Sequence, residues 1–373
     1  MRNALIIAGI TFGLLIIIDV SFRVVFHFYD ARSDYRVEAD VYEDEEFALA
    51  YFEEYDKANE VRWEPYVYWR RKAFEGNWIN IDEEGRRKTY TPGSIDKLDQ
   101  KRMFVFGGST LWGTGASDDQ TIPSFVSKIL EEEGMAYEVE NWGETGYAST
   151  QNLIQLIRLL QKGEVPDVVI FYDGVNDAFN ALQRGRAGDP TNEFNREAEF
   201  NLLNEHGRLY GVATKTFLKK GLYRFIQKLV SVMRILPEDR QKDLAVETAS
   251  IYIENVKMVL SLSEMYGFKP LFFWQPIIFN KNHLSDYEKT ELEKQQYGEQ
   301  HYHRTTVALH ALLQDSQDYP VFDLSEMFKD IKEPLFIDFC HLSGKGNKLI
   351  ADELTALFIE NSQDSTARME LNR

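Results

Sequence analysis

Residues 103–110 read MFVFGGST, a run of apolar residues that ends in two glycines, a serine and a threonine. A short apolar run bounded by turn-forming residues is typical of a buried β-strand. Four further runs of this kind follow along the chain, at 137–143, 167–174, 269–276 and 319–325. Between them, 121–134 and 149–163 carry apolar residues at helical spacing and end at a glycine. This alternation predicts an α/β fold, a three-layer sandwich around a central parallel sheet.

The serine after the first predicted strand is a candidate functional residue, because reactive groups gather at the carboxyl ends of parallel strands. The chain lacks the Gly-x4-Gly-Lys-Ser/Thr motif of phosphate-binding loops. A dinucleotide-binding loop is also excluded, since Asp118 stands where its third glycine belongs. The Gly-x-Ser-x-Gly elbow fails at Leu111. A serine nucleophile at Ser109 stays open, provided that the chain supplies a base and oxyanion donors.

The other groups that such a nucleophile needs occur later in the sequence. In DFCH, Asp338 precedes His341 by three residues, so its carboxylate can bind one ring nitrogen and leave the other for Ser109. Gly146 in NWGETGY and Asn176 in DGVNDAF each follow a predicted strand. A backbone N–H at a glycine turn and an amide side chain can both donate to a developing oxyanion.

This set of residues resembles the SGNH hydrolases, also called GDSL-type lipases and esterases, over about residues 101–358. The resemblance implies an SGNH/flavodoxin-like sandwich with Ser109 as nucleophile and with Asp338 and His341 completing the triad. It also implies an oxyanion hole formed by the Ser109 amide, Gly146 and Asn176. One departure is that the eponymous Gly-Asp-Ser-Leu reads Gly-Gly-Ser-Thr here.

The activity implied by this resemblance is hydrolysis of an acyl ester, such as an acetyl ester on a glycan or lipid, through an acyl-enzyme and without a cofactor or metal. Two alternatives stay open: an O-acyltransferase that acts on a cell-envelope polysaccharide, and an inactive relative that binds glycan or lipid. The formal net charge of −18 argues against nucleic acid as a partner.

The N-terminus carries an uncharged apolar run, Ala4–Ile18, and its apolar character resumes after Asp19. We predict a transmembrane anchor over residues 1–27, in which Asp19 and Arg23 pair or reach the interface. A cleaved signal peptide and a buried helix are the alternatives. The predicted location is a single-pass membrane protein with its catalytic domain on the extracytoplasmic side, although the flanking charges give no clear orientation.

Composition divides the rest of the chain. Residues 28–98 are acidic, aromatic and rich in turns, and predict a membrane-proximal stalk with a small cover. Residues 99–361 form the hydrolase domain, with a helical insertion at about 178–243, and 362–373 a flexible tail. Within the insertion, the basic amphipathic stretch 215–236 is interpreted as an ordinary packed helix, a lid or a face resting on anionic lipid.

Histidine, cysteine and glutamine residues outside this set are further candidates for function. The histidines at positions 301, 303 and 310 invite a metal site, but their helical spacing places them too far apart to share one ion. Cys340, the single cysteine, excludes an intrachain disulfide and is expected to be a small buried residue. Gln275 ends a predicted strand, where it either lines the pocket or closes a turn.

Overall fold

The structure is a computed structural model, and it describes residues 2–30, 34–93, 100–193, 195–197, 199–201, 236–294, 296–314 and 319–371. The basic stretch predicted in the insertion falls outside these residues up to position 235. The chain divides into two compact units, one of Met1–Tyr35 with Asn192–Glu238 and one of Arg36–Thr191 with Asp239–Arg373. The candidate site lies wholly in the second unit.

The first helix, α1, spans Arg2–Asp30. Within it, the Arg23 Nε lies 2.6 Å from the Asp19 Oδ2, so these side chains pair one helical turn apart as the sequence predicted. Among the described residues, however, no helix combines the length and the apolar character that crossing a bilayer requires. The predicted transmembrane anchor is therefore not supported.

Residues 36–93, called the cover below, precede the main sheet. The cover contains a short 3₁₀ turn at Tyr35–Glu38 and helix α2, Glu45–Ala58, which begins where the Asp44 carboxylate accepts hydrogen bonds from two backbone N–H groups. Two antiparallel hairpins follow, formed by β1 (Val61–Glu64) with β2 (Tyr68–Arg71) and by β3 (Phe74–Glu75) with β4 (Asn80–Ile81).

The central sheet has five parallel strands in the order β6-β5-β7-β8-β9. Their bounds are β5 Lys101–Gly107, β6 Tyr137–Asn141, β7 Val168–Asp173, β8 Lys269–Trp274 and β9 Val321–Asp323. All five strands fall within the predicted apolar runs or extend them by two residues. The prediction of an α/β fold with a central parallel sheet is confirmed.

Helices cover both faces of this sheet. Their bounds are α3 Ser109–Trp112, α4 Ile122–Glu132, α5 Ser149–Gln161, α6 Val175–Arg184, α7 Glu238–Tyr266, α8 Asp286–Glu293, α9 Gln296–Gln314 and α10 Gly344–Leu371, with 3₁₀ turns at Asp118–Gln120 and Ile278–Asn280. Along β5, Phe104 and Phe106 enter the apolar cluster on the α5 and α7 side, whereas Met103 and Val105 enter the one on the α4 and α10 side. This alternation is the two-residue period of a strand that is buried on both faces.

The last helix runs into the stretch that the sequence predicts to be a tail. Helix α10 continues to Leu371, beyond the start of the predicted flexible tail at residue 362. Residues 362–371, SQDSTARMEL, contain neither glycine nor proline and include the helix formers Ala, Met, Glu and Leu. Nothing in this stretch therefore stops a helix that has already formed.

A third apolar cluster joins the cover to the main domain. Tyr51, Phe52 and Ile79 of the cover pack together with Trp112 and Ile337 of the main domain. The cover also continues the main sheet, because an isolated bridge links Arg87 to Asn141 at the edge strand β6. The cover therefore packs on the main domain through an apolar cluster of its own and through a strand bridge.

Candidate active site

The turn after β5 presents Ser109. The serine is the first residue of α3 and is half-buried, while the residues on either side of it are buried. The turn is tight, because a β-carbon at Gly107 would lie 2.5 Å from the Tyr172 carbonyl oxygen. As the first helical residue, Ser109 has no intrahelical acceptor for its backbone N–H. Both its hydroxyl and its amide are thus placed at the carboxyl edge of the sheet.

The structure brings Ser109, His341 and Asp338 into one hydrogen-bonded row. The His341 Nε2 lies 2.6 Å from the Ser109 Oγ, and the His341 Nδ1 lies 2.6 Å from the Asp338 Oδ2. The other carboxylate oxygen, Oδ1, accepts hydrogen bonds from the backbone N–H groups of Cys340 and His341 at 3.0 and 2.8 Å. In this arrangement the imidazole can take a proton from the serine hydroxyl while the carboxylate fixes its orientation.

The environment of Asp338 favours its charged form. Burial alone would raise its pKa, but the charge and hydrogen bond of His341, the Arg36 guanidinium and the Cys340 N–H together hold the pKa below its usual range. Asp338 is therefore ionised at neutral pH and can stabilise a positive charge on His341.

Gly146 lies in a turn that only glycine suits. Its φ is +78°, and a β-carbon there would lie 2.9 Å from the Thr191 Cγ2. Among the described residues, no group accepts a hydrogen bond from its backbone N–H. The turn thus leaves one donor available for a ligand.

Asn176, the second residue of α6, contacts both the Gly146 turn and the turn that carries Ser109. Its Nδ2 donates to the Tyr147 carbonyl oxygen at 2.8 Å. A β-carbon at Gly108, directly before Ser109, would lie 2.2 Å from the same Nδ2. An amide nitrogen carries two hydrogens, so one stays available beside the serine. Asn176, Gly108 and Tyr147 therefore converge at one place.

Beneath these turns lies a buried polar network. Asp177 accepts hydrogen bonds from the Ser149 N–H at 3.1 Å and from its hydroxyl at 2.5 Å, and the Asn255 amide donates to the Ser149 Oγ at 2.9 Å. Burial raises the Asp177 pKa to about 6, against the lowering effect of the Ser149 hydrogen bonds. The neighbouring Asp173, which accepts from Asn152, also has a raised pKa because of burial and the Asp177 charge. This network ties the start of α5 to the start of α6.

A hydrogen-bonded bridge that the sequence did not indicate links the serine and histidine segments. The Thr110 hydroxyl donates to the Cys340 carbonyl oxygen at 3.2 Å, and the Gln275 amide donates to the Thr110 Oγ1 at 3.4 Å. Gln275, for which pocket and turn were both open, is buried and supports Thr110 instead. Cys340 is buried as expected, and burial raises the pKa of its thiol. The only sequence signal for Gln275 was its position at the end of a buried strand.

In the described part of the chain, one group of side chains has potential metal-ligand atoms within 4.8 Å of one another, namely Asp338, Cys340 and His341. Both ring nitrogens of His341 are already engaged by the carboxylate and the serine. The three histidines of α9 do not form such a group: His301 is buried, while His303 and His310 are exposed.

One protein-family model matches the greater part of this chain. The model of the GDSL-like Lipase/Acylhydrolase family matches residues 103–354. The chain belongs to this family. All five residues singled out by the resemblance lie inside the matched range, whereas the cover precedes it. A search of curated proteins gives no match.

The solved structures to which this chain is similar include several named as esterases. The acetyl xylan esterase AlAXEase is 15% identical with a TM-score of 0.39, covering 68% of this chain and 98% of its own. The esterase EstA from Pseudoalteromonas sp. is 12% identical with a TM-score of 0.36, at 71% and 100% coverage. Est24, a carbohydrate acetylesterase from Sinorhizobium meliloti, is 15% identical with a TM-score of 0.37, at 69% and 100% coverage.

Proposed function

We propose that this GDSL-family protein is a serine esterase that cleaves an acyl ester through a Ser109, His341 and Asp338 triad. The observation that carries the proposal is the unbroken row of two 2.6 Å contacts from the serine Oγ through the imidazole to the carboxylate. The ionised state of Asp338 supports it, since that charge favours the protonated imidazole that proton transfer would produce.

In the first half of the reaction, the Ser109 Oγ attacks the ester carbonyl carbon while its proton moves to the His341 Nε2. The carbonyl π electrons move to the oxygen, which becomes an oxyanion next to the N–H groups of Ser109, Gly146 and Asn176. When the tetrahedral intermediate collapses, the bond to the alkoxy oxygen breaks and His341 returns the proton to the leaving alcohol. The acyl group is then an ester of Ser109.

In the second half, His341 takes a proton from water, and the resulting hydroxide attacks the acyl carbon. Collapse releases the carboxylic acid and returns the proton to the Ser109 Oγ. Asp338 stays ionised throughout and balances the charge of the imidazolium. An alcohol in place of water would transfer the acyl group to that alcohol, so the same residues could serve an O-acyltransferase.

A fluorophosphonate probe tests the proposal directly, because it reacts with an activated serine. We expect the purified chain to be labelled and Ser109→Ala to be unlabelled with an unchanged melting temperature. The unlabelled wild-type protein is then assayed on aryl esters of increasing acyl length and on acetylated glycans, with and without an added sugar alcohol. Free acid as product indicates hydrolysis, and a new sugar ester indicates transfer. A folded chain that neither labels nor releases acid would support the inactive binding relative instead.

We also propose an extracytoplasmic location for the catalytic domain. The support is the uncharged apolar run Ala4–Ile18, because a cleaved signal peptide at this position would export the domain attached to its carboxyl end. A reporter that is active only outside the cytoplasm, fused after Arg373, should be active in cells. Activity of a reporter that works only in the cytoplasm would contradict this location without affecting the triad.

A further inference from the structure

Resting on the proposed function, we infer that Trp69 in the cover is a positioning residue for the oxyanion hole. Its indole N–H holds the Thr145 carbonyl and so directs the Gly146 N–H toward the substrate. Trp69 lies before residue 103, where the match to the family model begins, so this part of the site comes from a segment outside that match.

The central contact is a hydrogen bond of 3.0 Å from the Trp69 Nε1 to the Thr145 carbonyl oxygen. That carbonyl and the Gly146 N–H belong to the same peptide unit. In a planar trans peptide they point in opposite directions. Fixing the carbonyl toward the indole therefore fixes the Gly146 N–H away from it. The same hydrogen bond polarises the peptide unit and makes its N–H a stronger donor.

The neighbouring peptide groups are held in other ways. The Thr145 N–H donates to the Glu144 side chain at 2.8 Å, and the Tyr147 N–H donates to the Glu144 carbonyl at 3.3 Å. The Asn180 amide donates to the Gly146 carbonyl at 3.3 Å. Of the N–H groups of residues 145–147, the Gly146 N–H alone has no acceptor among the described residues. The peptide groups around Gly146 are thus held by hydrogen bonds, and the Gly146 N–H is left to bind a ligand.

Trp69 is itself fixed on two sides. Its ring meets the Tyr147 ring edge to face, with centroids 5.3 Å apart, and the Tyr147 hydroxyl donates to the Trp69 carbonyl oxygen. A β-carbon at Gly146 would lie 3.5 Å from the Trp69 ring. The indole therefore contacts the loop through its ring as well as through its N–H, and a ring without the N–H would keep most of the packing.

The two residues after Trp69 anchor β2 to the same loop. The Arg71 N–H donates to the Glu144 Oε2 at 2.9 Å, and the Arg70 Nη1 donates to the Trp142 carbonyl at 3.0 Å. The side chains of both arginines and of Glu144 are at most 1% exposed. Burying charges in this way gives little net stability, and its better-attested effect is to specify one arrangement. Here the arrangement specified is the register of β2 against the Gly146 loop.

The test compares Trp69→Phe with Trp63→Phe. Trp63 faces Trp69 across the β1–β2 hairpin and is 66% exposed, so it provides the same substitution on the same hairpin without the loop contact. Each variant is assayed with an aryl acetate and with the matching thionoacetate, whose sulfur accepts hydrogen bonds weakly. A defect in oxyanion binding should reduce the rate with the oxygen ester more than the rate with the thionoester.

We expect Trp69→Phe to lower kcat and kcat/KM for the ester about tenfold, less than the ~10²–10³-fold for a lost oxyanion donor, because Gly146 is still present. KM should stay within about twofold, since the contact acts on the transition state. The thionoester rate should change less than the ester rate, and Trp63→Phe should behave like the wild type. Equal losses on both substrates, or an unchanged kcat in Trp69→Phe, would overturn the inference.

Two further measurements distinguish a failure of this inference from misfolding of the variant and from a failure of the proposed function. If the melting temperature shows that Trp69→Phe does not fold, benzothienylalanine at position 69 keeps the indole shape and removes only the N–H donor, and the same kinetic split is expected. A wild-type chain that neither cleaves the ester nor reacts with the fluorophosphonate would overturn the proposed function and this inference with it. An active wild type with a normal Trp69 variant would overturn the inference alone.

Discussion

Gly108 and Asn176 approach so closely that a β-carbon on the glycine would lie 2.2 Å from the Asn176 Nδ2. The φ of Gly108 is −82°, which other residues adopt readily, so the requirement for glycine is one of space and not of backbone conformation. The motif that gives the GDSL family its name has an aspartate at this place. In this chain the missing side chain makes room for the Asn176 amide beside the serine.

Restoring the family's aspartate should therefore damage the enzyme. Gly108→Asp is expected to displace the Asn176 side chain and to lower kcat/KM by about 10²-fold, comparable to the loss of one oxyanion donor. Gly93→Ala serves as the control, because a β-carbon at Gly93 meets nothing within 4 Å. Steady-state kinetics and melting temperatures of both variants check this. Full activity in a folded Gly108→Asp protein would contradict the role of this contact.

Removal of the donor itself should have a similar effect. Asn176→Ala is expected to cost about 2.7–4 kcal/mol of transition-state stabilisation, measured from kcat/KM. If Gly108 acts only by making room for Asn176, adding Gly108→Asp to Asn176→Ala should cause little further loss. Additive losses in this double-mutant cycle would show that the two residues act independently. An unchanged rate in Asn176→Ala would assign the residue to structure.

Much of this site could be predicted from sequence because its parts follow strands. The strands before Ser109 and Asn176 each contain a run of at least four consecutive apolar residues and are closely followed by glycine, and a parallel sheet brings their carboxyl ends to one edge. The Asp338 and His341 pair is local, three residues apart. Each of these features can therefore be recognised within one short stretch of sequence.

The contacts that tune the site leave no such pattern. Trp69 meets Thr145, and Arg71 meets Glu144, across more than 70 positions of the chain. The acidic and aromatic composition of residues 28–98 predicts a stalk and a small cover, since segments rich in charged residues are usually solvated. The burial of Arg71 depends on partners from a distant loop, and its own neighbours in sequence do not indicate it.

The charge of Asp338 should matter separately from its shape. Asp338→Asn keeps an oxygen that can accept the two backbone N–H groups but removes the charge that stabilises the imidazolium. We expect Asp338→Asn to lower kcat by about 10⁴-fold and Ser109→Ala to lower kcat at least as much, with both proteins folded. Single-turnover kinetics with an aryl ester would measure both. Near-normal turnover in Asp338→Asn would mean that His341 acts without the carboxylate.

The buried Asp177 should make stability depend on pH. Its pKa is raised from the ordinary 3.8 to about 6 by burial, so between these values the folded state holds a proton that the unfolded state has lost. Stability from this group is therefore present below about pH 4 and is lost as pH rises through 6. Between pH 4 and 6.5, the free energy of unfolding of the wild type should therefore fall relative to that of Asp177→Asn.

Urea denaturation of both chains at four pH values checks this prediction. Burial lowers the pKa of His301 to about 4, so this group stabilises the folded protein increasingly as the pH rises over the same window. It is present in both chains, so its contribution cancels in the difference. The lowered pKa of Asp338 acts only at more acidic pH. Parallel pH profiles for the wild type and Asp177→Asn would show that Asp177 titrates as an ordinary carboxyl.

Two truncated chains should show that the enzyme needs the cover but not the first helix. In the part of the chain that the structure describes, the contacts that hold the site begin at Arg36, whose guanidinium lies 4.7 Å from the Phe52 ring centroid and helps to lower the Asp338 pKa. A chain beginning at Asp34 is therefore expected to fold and to keep its kcat/KM within about twofold, because it retains every contact described above for the site. A chain beginning at Gln100 should be inactive or insoluble. It exposes Trp112 and leaves the buried Glu144 without its arginines, and an unpaired buried charge costs about 3–5 kcal/mol. Soluble yield, melting temperature and ester hydrolysis of the two chains decide the matter, since normal activity without the cover would contradict its role in the site.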